Sequence, residues 1–136
     1  MHTAFFLEKT GAERLCQHIL GLDSGILYAG ICSVAGEDIA SAFKPSASLI
    51  IGTAPKLTKA YREGVNAVVN SFKQVEPFLG ELLEITASYK KLKIMIIHLG
   101  EKTNVVAVLV TTKELDSGNV TFQVSKVTRN FVGSLS

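Results

Sequence analysis

Three segments of this chain, residues 25–34, 92–99 and 104–111, are apolar at both of their alternate positions. A strand with one wet face alternates apolar and polar residues, whereas a strand apolar on both sets must be covered on both sides. The chain therefore has to supply helices to two faces of one sheet, and three further segments have the pattern to do so. Thr10 and Glu13 stand at capping-box spacing, Leu15, Cys16, Ile19 and Leu20 form one stripe, and Gly21 supplies a stop. These residues predict a first helix, with a ragged start near Phe5 or Phe6.

The second helix carries the strongest signals. Thr53 can cap it and Pro55 fits its first turn. At 100° per residue, Leu57, Tyr61, Gly64, Val65, Val68, Phe72 and Val75 make one apolar stripe. Lys59, Arg62, Asn66, Asn70 and Lys73 face the other way, and Pro77 with Gly80 ends the helix. A last amphipathic helix runs through Val120, Val124, Val127, Phe131 and Leu135, although the Val and Thr content of 119–127 leaves a strand reading open.

Two weaker strands complete the pattern. Residues 39–43, after a turn at 35–38, are short and suit a sheet edge. Residues 82–89 set Leu83, Ile85, Ala87 and Tyr89 against Glu84, Thr86, Ser88 and Lys90, so one face is wet and an edge position follows. Residues 45–52 form a loop in which Leu49, Ile50 and Ile51 call for packing. The predicted order is α-β-β-α-β-β-β-α, an α/β (α+β) fold with a five-stranded antiparallel sheet and helices on both faces.

At 136 residues the whole chain, 1–136, is expected to be one domain that buries roughly 67% of its unfolded surface. Apolar residues make up 47% and charged residues 19%, which excludes a disordered tail protein. The 14 basic residues are scattered and the net charge is only +2, so nucleic-acid binding has no electrostatic footprint. Lys90, Lys91 and Lys93 cluster as a turn would. Cys16 and Cys32 sit in apolar segments as free buried thiols, which fits a reducing cytoplasm. No signal peptide is read in residues 1–7, and no apolar run is long enough for membrane insertion.

The search for chemistry comes back empty. Leu99-Gly100-Glu101-Lys102-Thr103 imitates the end of a phosphate-binding loop, but Glu101 separates the Gly from the Lys and a strand follows, so it reads as a hairpin turn. His2, His18 and His98 are dispersed, and no His/Cys/Asp/Glu pair has metal-ligand spacing. His98 reads as a strand-end side chain with a hydrogen-bonded ring. Ser24 and Ser33 stand in no nucleophile elbow. We expect no enzyme activity, no metal and no cofactor.

One flank of the second helix is more informative. Ala60, Gly64, Ala67 and Ser71 recur at i, i+4, i+7 and i+11, a spacing at which a second helix can approach closely. A mid-helix glycine costs about 1 kcal/mol relative to alanine, which asks for a packing reason. Either a twin helix packs there, or Gly64 makes room for a loop of its own chain.

The element order and several local patterns resemble the roadblock (dynein light chain) family, within the longin/profilin-like group. The likeness lies in the helix ending at Leu20, the Asp23-Ser24-Gly25-Ile26 start of a strand, and the hairpin from Ile31 through Gly36-Glu37-Asp38 to Ser41. It continues in the apolar pair 92–100 and 105–109 and covers about residues 5 to 112. Residues 119–136 are longer and richer in Val and Thr than the family pattern.

The resemblance implies a strand order of 2-1-5-4-3 with 82–89 on the free edge. It implies a homodimer formed through that edge and the second helix, which points to Ala60, Gly64, Ala67, Ser71, Leu83, Ile85 and Ala87 as the dimer interface. It also implies a non-catalytic role, regulating or scaffolding a small Ras-like GTPase or a larger protein complex. Lys59, Arg62 and Lys73 are the candidate partner contacts, against the reading of an ordinary solvated helix face. The alternative function is a small-molecule-sensing module of PAS or GAF type, which would leave polar groups facing a cavity.

Overall fold

The computed structural model describes residues 9–35, 37–45, 54–99 and 105–133. Its elements in chain order are α1 (Lys9–Leu20), β1 (Ile26–Ser33), β2 (Asp38–Phe43), α2 (Ala54–Lys73), the single turn α3 (Glu76–Leu79), β3 (Glu84–Ser88), β4 (Leu92–His98), β5 (Val105–Thr112) and α4 (Ser117–Gly133). The five strands form one antiparallel sheet in the order β2-β1-β5-β4-β3. This is the architecture expected from the sequence.

The doubly apolar strands take the central places because each face of the sheet has its own core. On one face Ala29 and Ile31 of β1, Met95 and Ile97 of β4, and Ala107 and Leu109 of β5 pack with Leu15, Cys16 and Ile19 of α1 and Val120 and Val124 of α4. On the other, Tyr28 and Cys32, Val106, Val108 and Val110, with half-buried Ile94 and Ile96, meet Val65 and Val69 of α2. The register follows from the pairing of like faces, with Met95 opposite Leu109 and Ile97 opposite Ala107. A one-residue slip would turn every one of these side chains to the wrong core.

Several local expectations need correction. Thr10 lies inside α1, which already runs through Lys9, so it does not begin the helix as a cap. Thr–x–x–Glu spacing is one helical turn and arises equally within a helix. α1 does stop at Gly21, whose N–H donates to the Gln17 and His18 carbonyls at 3.2 and 3.1 Å. Pro77 does not end α2. That helix closes at Lys73, and Pro77 sits in the first turn of α3, where its missing N–H is harmless. Gly80 caps α3 at φ +97°, a conformation that favours glycine.

Residues 119–127 are helical, which removes the strand alternative. Asp116 accounts for this: its carboxylate accepts the Asn119 N–H at 3.1 Å, as an N-cap does. Lys93 is not in the turn with exposed Lys90 and Lys91. It is buried in β4 and its ammonium donates to the Leu115 carbonyl. Phe5, Phe6, Thr53 and the loop residues Leu49, Ile50 and Ile51 fall outside the described residues, as do Leu135 and the side chains of Leu57, Tyr61 and Phe131.

A candidate interaction site along the free edge of the sheet

β3 is the sparest strand of the sheet. Thr86, Ala87 and Ser88 are exposed, and only Ile85 and Leu82 reach into the α2-side core. Its wet face turns toward the α1/α4 side. There the Glu84 carboxylate accepts Thr86 Oγ1 at 2.7 Å and Thr121 Oγ1 of α4 at 2.9 Å, so the last helix holds the edge strand from above.

On the opposite face β3, β4 and α2 leave a groove of about 210 Å³ lined by Gly64, Val65, Val68, Ile85, Ala87, Tyr89, Ile94 and Ile96. These walls are apolar save for the tyrosine. The groove brings together three of the seven residues that the sequence singled out for pairing: Gly64, Ile85 and Ala87. Ala67 and Ser71 are exposed on the same helix flank, and Leu83 is 62% exposed beside the start of β3. The side chain of Ala60 lies outside the described residues.

Gly64 is exposed, and a Cβ built on it meets nothing within 4 Å. It therefore makes no room for a described loop of its own chain. The apolar surface continues past the end of α2, where Phe72, Val75, Phe78 and Leu79 are all exposed.

The expected α2 stripe needs adjustment here. Val65 and Val69 are its buried centre, with Val68 half-buried, while Phe72 and Val75 stay in solvent. A helical wheel gives direction but not height. At the last turn, where the Val75 N–H donates to the Phe72 carbonyl, the angle no longer guarantees a neighbour.

The basic residues divide. Lys59 is exposed. Lys73 is half-buried, with its ammonium 3.4 Å from Nε2 of buried His98, so it turns back toward the sheet and does not belong to the solvated face. One turn from the buried Val69, position 73 sits only about 40° away on the wheel, so its stem packs while its charge finds the imidazole. The side chain of Arg62 is outside the described residues.

Among the described residues no group of three His, Cys, Asp or Glu could hold a metal ion. None of the described helices is long and apolar enough to cross a membrane. Cys16 and Cys32 are buried in the two different cores, on opposite faces of the sheet.

With this geometry in hand, solved structures decide the fold. A roadblock/LC7 domain from Streptomyces avermitilis superimposes with a TM-score of 0.69, covering 90% of this chain and 96% of that one at 9% identity. The gliding protein MglB of Thermus thermophilus gives 0.67, covering 98% and 94% at 14% identity. MglB of Myxococcus xanthus gives 0.68, covering 94% and 90% at 15% identity. This chain has the roadblock fold. Identities this low carry the fold and not the function. No protein-family model matches the sequence, and no curated protein is similar to it.

Proposed function

We propose that this roadblock-fold chain is a non-catalytic, homodimeric protein-binding domain of the cytoplasm that regulates or scaffolds a small Ras-like GTPase. The observation that carries the reading is the free edge of β3 beside an open apolar groove, on a fold shared with MglB. An edge strand with one apolar face and an adjoining small-residue helix flank is a surface that a second protomer can cover. One MglB structure is described as a tetrameric arrangement, with a TM-score of 0.64 at 14% identity, so self-association occurs on this fold.

The GTPase as partner comes from the family resemblance in the sequence. The absence of a glycine-rich cradle ahead of a helix leaves this chain dependent on the partner for nucleotide chemistry. The sensing-module alternative has less support, because the groove walls are apolar and open where a ligand cavity would set a few polar groups inward.

The test combines the purified chain with Ras-like GTPases of its own organism, loaded with GDP or a non-hydrolysable GTP analogue. Binding and hydrolysis rate are measured, together with calorimetric titration of nucleotide into the chain alone. We expect complex formation with one GTPase and no heat beyond dilution for the chain by itself. Binding of GTP or ATP by the isolated chain, or failure to bind any of the GTPases, overturns the reading.

A further inference from the structure

The end of α2 runs almost without a break into α3. The Val75 N–H donates to the Phe72 carbonyl at 3.2 Å, and the Leu79 N–H donates to the Val75 carbonyl at 3.1 Å. Val75 between them has φ −93° and ψ −1°, close to a helical turn. Phe72, Val75 and Leu79 therefore stand at i, i+3 and i+7, on one side of a continuing helical path. Phe78 flanks them, and Leu83 follows just before β3. Phe78 and Leu79 are 82% and 81% exposed, and α3 buries no residue at all. Of the seven large apolar side chains exposed among the described residues, these are five.

This surface is held in shape by its own hydrogen bonds. The Gly80 N–H donates to the Glu76 carbonyl at 2.8 Å, and the Glu76 carboxylate accepts the Leu82 N–H at 2.7 Å, which ties the turn back onto α3. Leu82 then packs into the α2-side core. A knob anchored in this way loses little further freedom when something binds it. Its five side chains offer on the order of 500 Å² of apolar surface, a patch of the size that marks an interaction site on a single chain.

We propose that this apolar knob docks a basic amphipathic helix of another protein. The inference depends neither on the GTPase reading nor on self-pairing. Charge selects the occupant. Glu76 and Glu81 flank the knob, and residues 74–89 contain no Lys or Arg. Lys73, the nearest cation in sequence, holds its ammonium 3.4 Å from Nε2 of His98. An apolar centre with an acidic rim matches a helix that carries apolar anchors on one face and Lys or Arg beside them. An anionic lipid surface would meet these carboxylates with like charge, and so would a second knob brought up by a two-fold axis. The length also fits, since Phe72 to Leu79 spans about 10 Å at 1.5 Å per residue, two turns of a partner helix.

The chain has no tryptophan, so the fluorescence of a peptide that carries one reports the peptide alone. The probe is a short amphipathic helix of leucine and lysine with one Trp on its apolar face, titrated with the full chain at low and high salt. A peptide of the same pattern with glutamate in place of lysine, and vesicles of anionic phospholipid, are the counter-probes. We expect saturable micromolar binding with blue-shifted emission for the lysine peptide and none for the glutamate peptide. Phe78→Ser with Leu79→Ser should weaken binding at least about tenfold. Neither side chain is buried, so the melting temperature should not fall. Glu81→Lys should weaken binding at low salt, with the gap closing at high salt.

Equal binding by the Phe78→Ser, Leu79→Ser chain, or no saturable binding below millimolar concentration, overturns the proposal. Equal affinity for the glutamate peptide also overturns it, by reducing the contact to unselective adhesion. Tighter attachment to the vesicles than to the lysine peptide overturns it in favour of a lipid surface. Light scattering of the double variant completes the test: an unchanged mass is expected, and a fall in mass gives the knob to a second copy of this chain instead.

Discussion

Cys16 lies on the buried side of α1 with no exposed surface. Burial, with the negative charges of Asp38 and Glu13 adding to it, pushes its thiol from 9.0 up to about 12. Below pH 9 the thiol is protonated in both folded and unfolded chains, so pH has no leverage through it. Between pH 9 and 12 only the unfolded chain loses the proton, so the unfolded state binds fewer protons and stability falls as pH rises. Denaturant unfolding should give a midpoint that drops from about pH 9 to 11, with a shallower drop in Cys16→Ala; equal slopes would place the sensitivity elsewhere. The burial of this cysteine was legible from its place in an apolar stripe. The inward turn of Lys73 was not, because wheel position alone made it a surface cation and only the fold sets His98 3.4 Å from its ammonium.

Among the elements, the strands read most clearly and the helix ends least. β1, β4 and β5 declare themselves because burial on both faces removes polar residues from both alternate sets, a constraint that few other structures impose. The start of α1 and the end of α2 misread because Thr–x–x–Glu and Pro each fit more than one place in a helix. In α2 the exposed Gly64 makes the open question of its small-residue flank testable. Gly64→Ala adds a methyl group where the protomer offers no contact, so the folded monomer should gain roughly 0.5–1 kcal/mol from the better helix propensity. A twin helix packed on the flank would be pushed away by the same methyl group. We expect a higher melting temperature at low concentration together with a weaker dimer by sedimentation equilibrium. A variant that gains stability without losing dimer affinity would make the flank plain surface.

For the whole molecule, the central and edge places were readable because the doubly apolar strands had to be covered on both faces and the short or half-wet ones suited an edge, while the full strand order came from the family resemblance. The candidate interaction surface was only partly readable, since its groove is made by residues from α2, β3 and β4 that no local pattern joins. The fold also separates two surfaces of α2. The groove side carries Gly64 and Val68 toward β3, while the side about 180° around carries Lys59, Asn66 and Asn70, all exposed. In the proposed homodimer that polar side would stay open with a second copy over β3, within reach of a third protein. Basic residues on such a face raise the rate of encounter with an acidic partner more than they deepen the bound state, and salt screens the effect. With Lys73 withdrawn toward His98, Lys59 and Arg62 are the residues to change. Lys59→Glu with Arg62→Glu should slow association with the proposed GTPase partner on the order of tenfold at low ionic strength, a gap that narrows in high salt. The dimer should be untouched, which light scattering of the variant checks. An association rate equal to that of the unaltered protein at both salt concentrations would give these two side chains to solubility alone and move the partner surface to another face of the dimer.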